Sequence, residues 1–153
     1  MEVKYNSTMP QEIENGNKCI IVNYNTSEVT NEEIQRLWDE QKGEVVNNVP
    51  DQWFKDMYKY KYNSTIVPMG QWTRDGIINA IIRDKYRQDE MEAITNNMAA
   101  INAVFMQTLV TEGIVAATKY LKESINDANT ARFKEMQEWR AMAKKVASEI
   151  IKD

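Results

Sequence analysis

The 153-residue chain contains no histidine and a single cysteine. Without histidine there is no imidazole general base and no imidazole metal ligand, so the hydrolases and zinc sites that depend on one are excluded. One cysteine cannot close a disulfide within the chain. Cys19 lies in the apolar run "CIIV", a setting for an inert packed thiol rather than a reactive one. Only three prolines and five glycines punctuate the chain. No window of 18 apolar residues exists, and the first residues lack a basic stretch followed by an apolar one; neither a membrane span nor a signal peptide is expected.

Charge is also scarce in one sense. The 19 basic residues are outnumbered by 23 acidic ones, giving net −4, which argues against a nucleic-acid partner. Residues 1–70 carry 7 basic and 11 acidic groups, whereas residues 131–153 carry 6 and 4. The mild basic excess at the end is what a solvated helix face would give. The clusters "QDEME" and "DEQKGE" lack the spacing of a calcium loop and read as helix faces. "RDGI" holds a lone glycine, not a phosphate-cradling repeat. No cofactor or metal is expected, and no catalytic residue stands out. A hydrolase relying on carboxylates alone is the enzymatic alternative, and no nucleophile motif supports it.

What is present is an ordered alternation of local signals. "EVKYNST" is a short candidate strand ended by Pro10, "ENGN" a turn, and "KCIIVNYN" the strongest early strand. Thr30 and Glu33 have capping-box spacing, and Ile34, Leu37 and Trp38 then recur as on one helix face, with Gly43 as the stop. "VPDQWFKDMY" is expected to add a short turn of helix with Trp53, Phe54 and Met57 on one face. Tyr58, Tyr60 and Tyr62 alternate with Lys59 and Lys61, the period of a half-exposed strand running to Val67, with Tyr62, Ser64 and Ile66 on one side. The aromatics from Trp38 to Trp72 are expected in packing rather than as a stacking platform for sugars or bases.

The pentapeptide "KYNST" occurs twice, at Lys4–Thr8 and Lys61–Thr65. Both copies are expected to be strands of one small sheet, or edges offered to a neighbouring subunit. The terminal copy, Val3, Lys4, Tyr5, Asn6, Ser7 and Thr8, is the candidate attachment arm. Asn6, Asn25 and Asn63 also stand in glycosylation-type triplets, read here as turn and strand-edge residues.

From Thr73 onward the pattern is helical. Thr73 is placed to cap "RDGIINAIIRDKYRQ". Met91, Ile94, Met98, Ile101 and Phe105 then fall at spacings of three and four, the signature of a helix–helix seam. Met136, Trp139, Ala143, Val146 and Ile150 repeat it on a helix expected from about Ala131 to Lys152. The polar "NDANT" between them is the expected point of reversal. The fold class is therefore mainly α. A C-terminal helical hairpin or bundle with a coiled-coil-like seam spans 71–153, as an oligomerisation domain. A small N-terminal β or extended region with short helices spans 1–70. A seam of that length predicts a homodimer or higher homo-oligomer, and the five methionines at 91, 98, 106, 136 and 142 suit adaptable packing.

The phrase "AIIRDKYRQDEMEAITNN", taken with "ARFKEMQEWRAMAKKVASEIIKD", resembles a group of small proteins of tailed phages that infect Bacteroidales gut bacteria. The residues carrying the resemblance are Ile82, Arg83, Lys85, Tyr86, Asp89, Glu90, Ala93, Ile94 and Asn97 in the first segment. In the second they are Phe133, Glu135, Gln137, Trp139, Arg140, Ala143 and Lys144. The chain departs from the group at Arg87, where a small polar residue is usual, and in the length of its apolar stretch from Met98. The resemblance implies a virion structural protein (head fibre, capsid decoration or tail accessory) assembled in the host cytoplasm. Its partners would be itself and other virion proteins, without membrane, and it would not be an enzyme. The alternative is an assembly chaperone for a fibre or tail protein.

Overall fold

A computed structural model describes residues 1–42 and 49–152 of the chain. The expected helix stop at Gly43 and the end of "DEQKGE" lie outside the described residues. Those described form six α-helices and one four-stranded antiparallel sheet, a mainly helical fold with a small β region. They divide into two compact units, Met1–Ile77 and Ile78–Asp153.

In the first unit the sheet order is β1 (Lys4–Asn6), β4 (Tyr60–Pro68), β3 (Cys19–Glu28), β2 (Ile13–Asn15). The centre is the β3–β4 pair, in register from Cys19 opposite Pro68 to Tyr24 opposite Asn63. A bulge follows between Tyr24 and Ser27, where Asn25 takes a positive φ of 55°. Ile20, Val22, Tyr24, Asn63, Thr65 and Val67 are all buried on one face. The strand alternation therefore stands, but Tyr62, Ser64 and Ile66 lie on the less buried side, with Ile66 64 % exposed. On that side the buried Asn23 is held at both ends of its amide. It donates to Gln11 O and Glu14 Oε1, each at 2.7 Å, and accepts from the Ser64 hydroxyl. A buried amide costs little when both its donor and acceptor are satisfied. Strand β2 has no sequence signal of its own; three residues are too few to show a period. It joins β3 through the "ENGN" turn, closed by Gly16 N–H donating to Cys19 O at 3.0 Å.

The two copies of the pentapeptide are neighbours in this sheet. Lys4, Tyr5 and Asn6 pair antiparallel with Tyr62, Lys61 and Tyr60. The helices α1 (Asn31–Lys42) and α2 (Gln52–Met57) form a cluster of Val29, Ile34, Trp38 and Phe54, with Tyr5, Leu37 and Tyr58 packed against it. Trp38 meets Phe54 edge-on at 5.0 Å, and Phe54 stacks on Tyr58 at 4.5 Å. Thr30 caps α1, its hydroxyl accepting from Glu33 N–H at 3.2 Å. The Glu33 carboxylate, however, accepts from the Tyr5 hydroxyl at 3.1 Å and from the Lys61 ammonium. The capping-box glutamate is thus used to tie β1 and β4 to α1. In α2, Asp51 caps by accepting from Phe54 N–H at 2.7 Å. The expected shared face of Trp53 and Phe54 does not form: consecutive helix positions are about 100° apart. Phe54 is 2 % exposed and Trp53 69 %.

The second unit begins within α3 (Arg74–Lys85) and continues through α4 (Gln88–Glu112), α5 (Ile114–Ser124) and α6 (Ala128–Ile150). Thr73 caps α3 as expected, accepting from Gly76 N–H at 3.1 Å. At α4, Glu90 accepts from Arg87 N–H at 3.0 Å and Asp89 pairs with the Arg87 guanidinium at 2.9 Å, so "QDEME" serves the helix start. Helix α6 begins three residues earlier than expected, capped by Asp127, which accepts from Asn129 N–H at 2.7 Å.

The expected reversal at "NDANT" is corrected. The direction of the chain changes at Gly113, between α4 and α5, where φ is 89° and ψ 178°, a region open essentially to glycine alone. Asn97 in α4 donates to Asn129 Oδ1 in α6 at 3.2 Å. Gly113 lies 16 residues from each, so the chain goes out and returns over equal lengths. Helices α5 and α6 follow one another back along α4, and Ile125–Asp127 only breaks their continuity.

Candidate interaction surface

Of the residues expected as an oligomer seam, Met91, Ile94, Met136 and Trp139 meet inside the chain. Ile94 and Met136 are buried with Tyr86 in one cluster, against which Met91, Phe133 and Trp139 pack. Ala143 is fully buried. Met98, Ile101 and Phe105 on α4, and Val146 and Ile150 on α6, are half-buried. The three-four stripe on α4 is thus the helix's inward face, and a coiled-coil seam between separate chains is not what this stripe forms at Ile94 and Met136.

Lys85, Tyr86, Ile94, Phe133, Glu135 and Trp139, drawn from the two phrases singled out in the sequence, converge at the same place. Lys85 pairs with Glu135 at 2.6 Å and lies 4.8 Å from the Trp139 ring centre and 5.4 Å from that of Tyr86. The Glu135 hydrogen bond holds the Lys85 pKa above its ordinary value, and the same bond holds Glu135 below its own. Trp139 Nε1–H donates to Ile81 O at 3.0 Å, at the point where α3 nears its end. These side chains fix α3, α4 and α6 to one another. Beside them Asn79, Ile82, Gln88, Met91, Glu92 and Arg140 line an open cleft of mixed polarity of about 540 Å³.

The attachment candidates have a different setting. Val3, Lys4 and Tyr5 line a shallow groove of about 380 Å³ with Met57 and Tyr58. Tyr5 is held by the Glu33 hydrogen bond and by its ring contact with Tyr58 at 5.2 Å. Burial and that hydrogen bond raise its pKa. Asn6 accepts from Ser7 N–H at 2.9 Å, and Ser7 and Thr8 are exposed. Strand β1 is therefore an edge strand of the sheet, anchored through Tyr5. Val3 and Met57, both exposed, are the large aliphatic side chains that line the groove beside that edge.

A further exposed apolar region lies at the α4–α5 end of the second unit. Between Glu92 and Lys119 the only charged residue is Glu112. Met106, Val110, Ile114 and Val115 are 55 %, 82 %, 71 % and 82 % exposed. The threonines here also hide their polarity: Thr108, Thr111 and Thr118 each donate to the carbonyl four residues back, at 2.7–2.8 Å. Such a hydroxyl no longer needs a water to accept its proton. Isolated exposed valines are ordinary on a protein surface; a group of large apolar side chains interrupted by one charge, Glu112, is a candidate interaction surface. Among the described residues no helix is long and apolar enough to cross a membrane. No protein-family model, curated protein or solved structure matches the chain.

Proposed function

We propose that this chain is a structural component of a tailed-phage particle, a head-fibre, capsid-decoration or tail-accessory protein, that self-associates through its helices. The observation that carries the self-association is the exposed apolar end formed by Met106, Val110, Ile114 and Val115, in which Glu112 is the single charged residue. Four large apolar side chains in one ten-residue span are costly to leave in water, at about 25 cal/mol per Å². The assignment to a virion is supported by the resemblance of the α3–α4 and α6 phrases to small phage structural proteins. The residues in those phrases, Lys85, Tyr86, Ile94, Phe133, Glu135 and Trp139, act as packing and pairing residues, in keeping with a scaffold. The edge strand β1 is the proposed attachment element, since an edge offers main-chain groups to an added strand.

Mass spectrometry of purified particles tests the assignment. The chain at stoichiometric copy number in the particle supports a virion component. Its presence in the infected cell but absence from particles favours the second reading, an assembly chaperone for a fibre or tail protein, which the same apolar surface would also serve.

A further inference from the structure

Helix α4 carries a second stripe. Asn96, Ala99, Ala103, Met106 and Val110 repeat the three-four spacing of the inward stripe, each five positions further along. Five residues turn a helix by about 140° beyond a full turn, so this stripe lies on nearly the opposite side. All five residues are exposed.

From the geometry of this stripe we infer that two copies of the chain pair antiparallel along α4, with Ala99 facing Val110 of the partner subunit and Ala103 facing Met106 of the partner subunit. This rests on the self-association proposed above and names the surface and direction of it. The occupant follows from size, charge and area. The first half of the stripe is small, Ala99 and Ala103, and the second half large, Met106 and Val110. An antiparallel pair sets small against large at every one of these layers, the arrangement that lets facing side chains interdigitate. A parallel pair would set alanine on alanine and leave voids. Nothing between Ala93 and Thr111 is charged, so two identical surfaces meet without repulsion, and a highly charged partner gains nothing there. The strip from Asn96 to Val110 is about 21 Å long and about 10 Å wide. Laid flat, two such strips cover about 420 Å², the size class of a weak and reversible dimer rather than of an obligate one. A two-fold pairing also closes, using the whole stripe once on each copy.

Cysteine crosslinking separates the alternatives, in the full chain with Cys19→Ser. In the double variant Ala99→Cys/Val110→Cys the two thiols of one chain are about 16 Å apart along the helix, too far to join within it. Mild oxidation is expected to give a covalent dimer of the double variant and none of either single variant. A dimer from Ala99→Cys alone would mean parallel pairing and overturn the inference. Sedimentation of the uncrosslinked chain distinguishes the remaining failures. If it is dimeric but no variant crosslinks, self-association stands and this face is wrong. If it is monomeric and instead co-sediments with phosphatidylcholine vesicles, the face docks on lipid and both readings fall; a monomer that does not bind vesicles overturns both as well. Because Val110 is exposed, Val110→Asp is expected to remain folded by circular dichroism while its dimer dissociates at least ten-fold more readily.

Discussion

The side-chain amides of Asn97 and Asn129 meet at 3.2 Å although the residues stand 32 positions apart. Gly113, where the second unit reverses, is equidistant from the two along the chain. The backbone of Gly113 is therefore the predicted weak point for substitution. Gly113→Ala should destabilise by roughly 1–3 kcal/mol through backbone strain alone, since an added Cβ would meet no atom within 4 Å. Urea unfolding of the variant checks this; an unchanged midpoint would place the reversal elsewhere.

Gly76 poses the opposite problem. A Cβ there would lie 1.8 Å from Gln71 O, a backbone atom that cannot swing aside. Gly76→Ala is expected to cost at least the roughly 1–3 kcal/mol of an overpacked site and to loosen the start of α3. Gly70 is the control, because an added Cβ there would meet nothing within 4 Å. Gly70→Ala should be neutral or stabilising by up to about 1 kcal/mol. Thermal melts of the two variants side by side test the contrast.

Acid should weaken the tie between β1, β4 and α1. Lys61 hydrogen-bonds Glu33, Tyr5 adds a second bond, and together they hold the Glu33 pKa below its ordinary 4.5. A carboxylate whose pKa is lowered by folding stabilises the fold fully above the unfolded value, and this is lost as pH falls through the folded value. The wild type is thus expected to lose this contribution below about pH 4.5. Glu33→Gln should lack it already at pH 7 and lose correspondingly less in acid. The Glu33 side chain is 18 % and that of Lys61 32 % exposed, so solvent screening limits the difference to the order of 1 kcal/mol. Urea midpoints of both proteins at pH 7 and pH 3.5 measure it.

Adjacent aromatics on α2 should respond in opposite ways. Phe54→Ala removes a ring packed among Trp38, Tyr58 and Val29 and is expected to cost about 3–5 kcal/mol. Trp53→Ala should change stability by less than about 0.5 kcal/mol, because Trp53 is 69 % exposed. A melt of each variant decides between this and a helix facing the core through Trp53.

Much of this fold is legible in the sequence. The period-two run around Tyr60, the caps at Thr30 and Thr73, and the stripe from Met91 to Phe105 each have a local physical cause, and each is present. Elements whose cause is not local are harder to read. Asn63 and Thr65 are buried because Tyr24 and Val22 stand opposite them on β3, a fact of register rather than of composition. Glu33 has capping-box spacing, but Tyr5 and Lys61 come to it from 28 positions away in either direction. The reversal at Gly113 competes with the more polar "NDANT", and a single glycine dihedral decides it. The exposed stripe on α4 has the same spacing as the inward one; its first half is alanine, which draws little notice in a search for apolar seams.

Sedimentation equilibrium of the purified wild-type chain, at roughly tens of micromolar, tests the central claim most directly. Self-association through the exposed face of α4 predicts a particle of twice the 17.8 kDa chain mass, and a return towards the single-chain mass in Val110→Asp. A wild-type chain that sediments at the single-chain mass throughout that range would contradict the account.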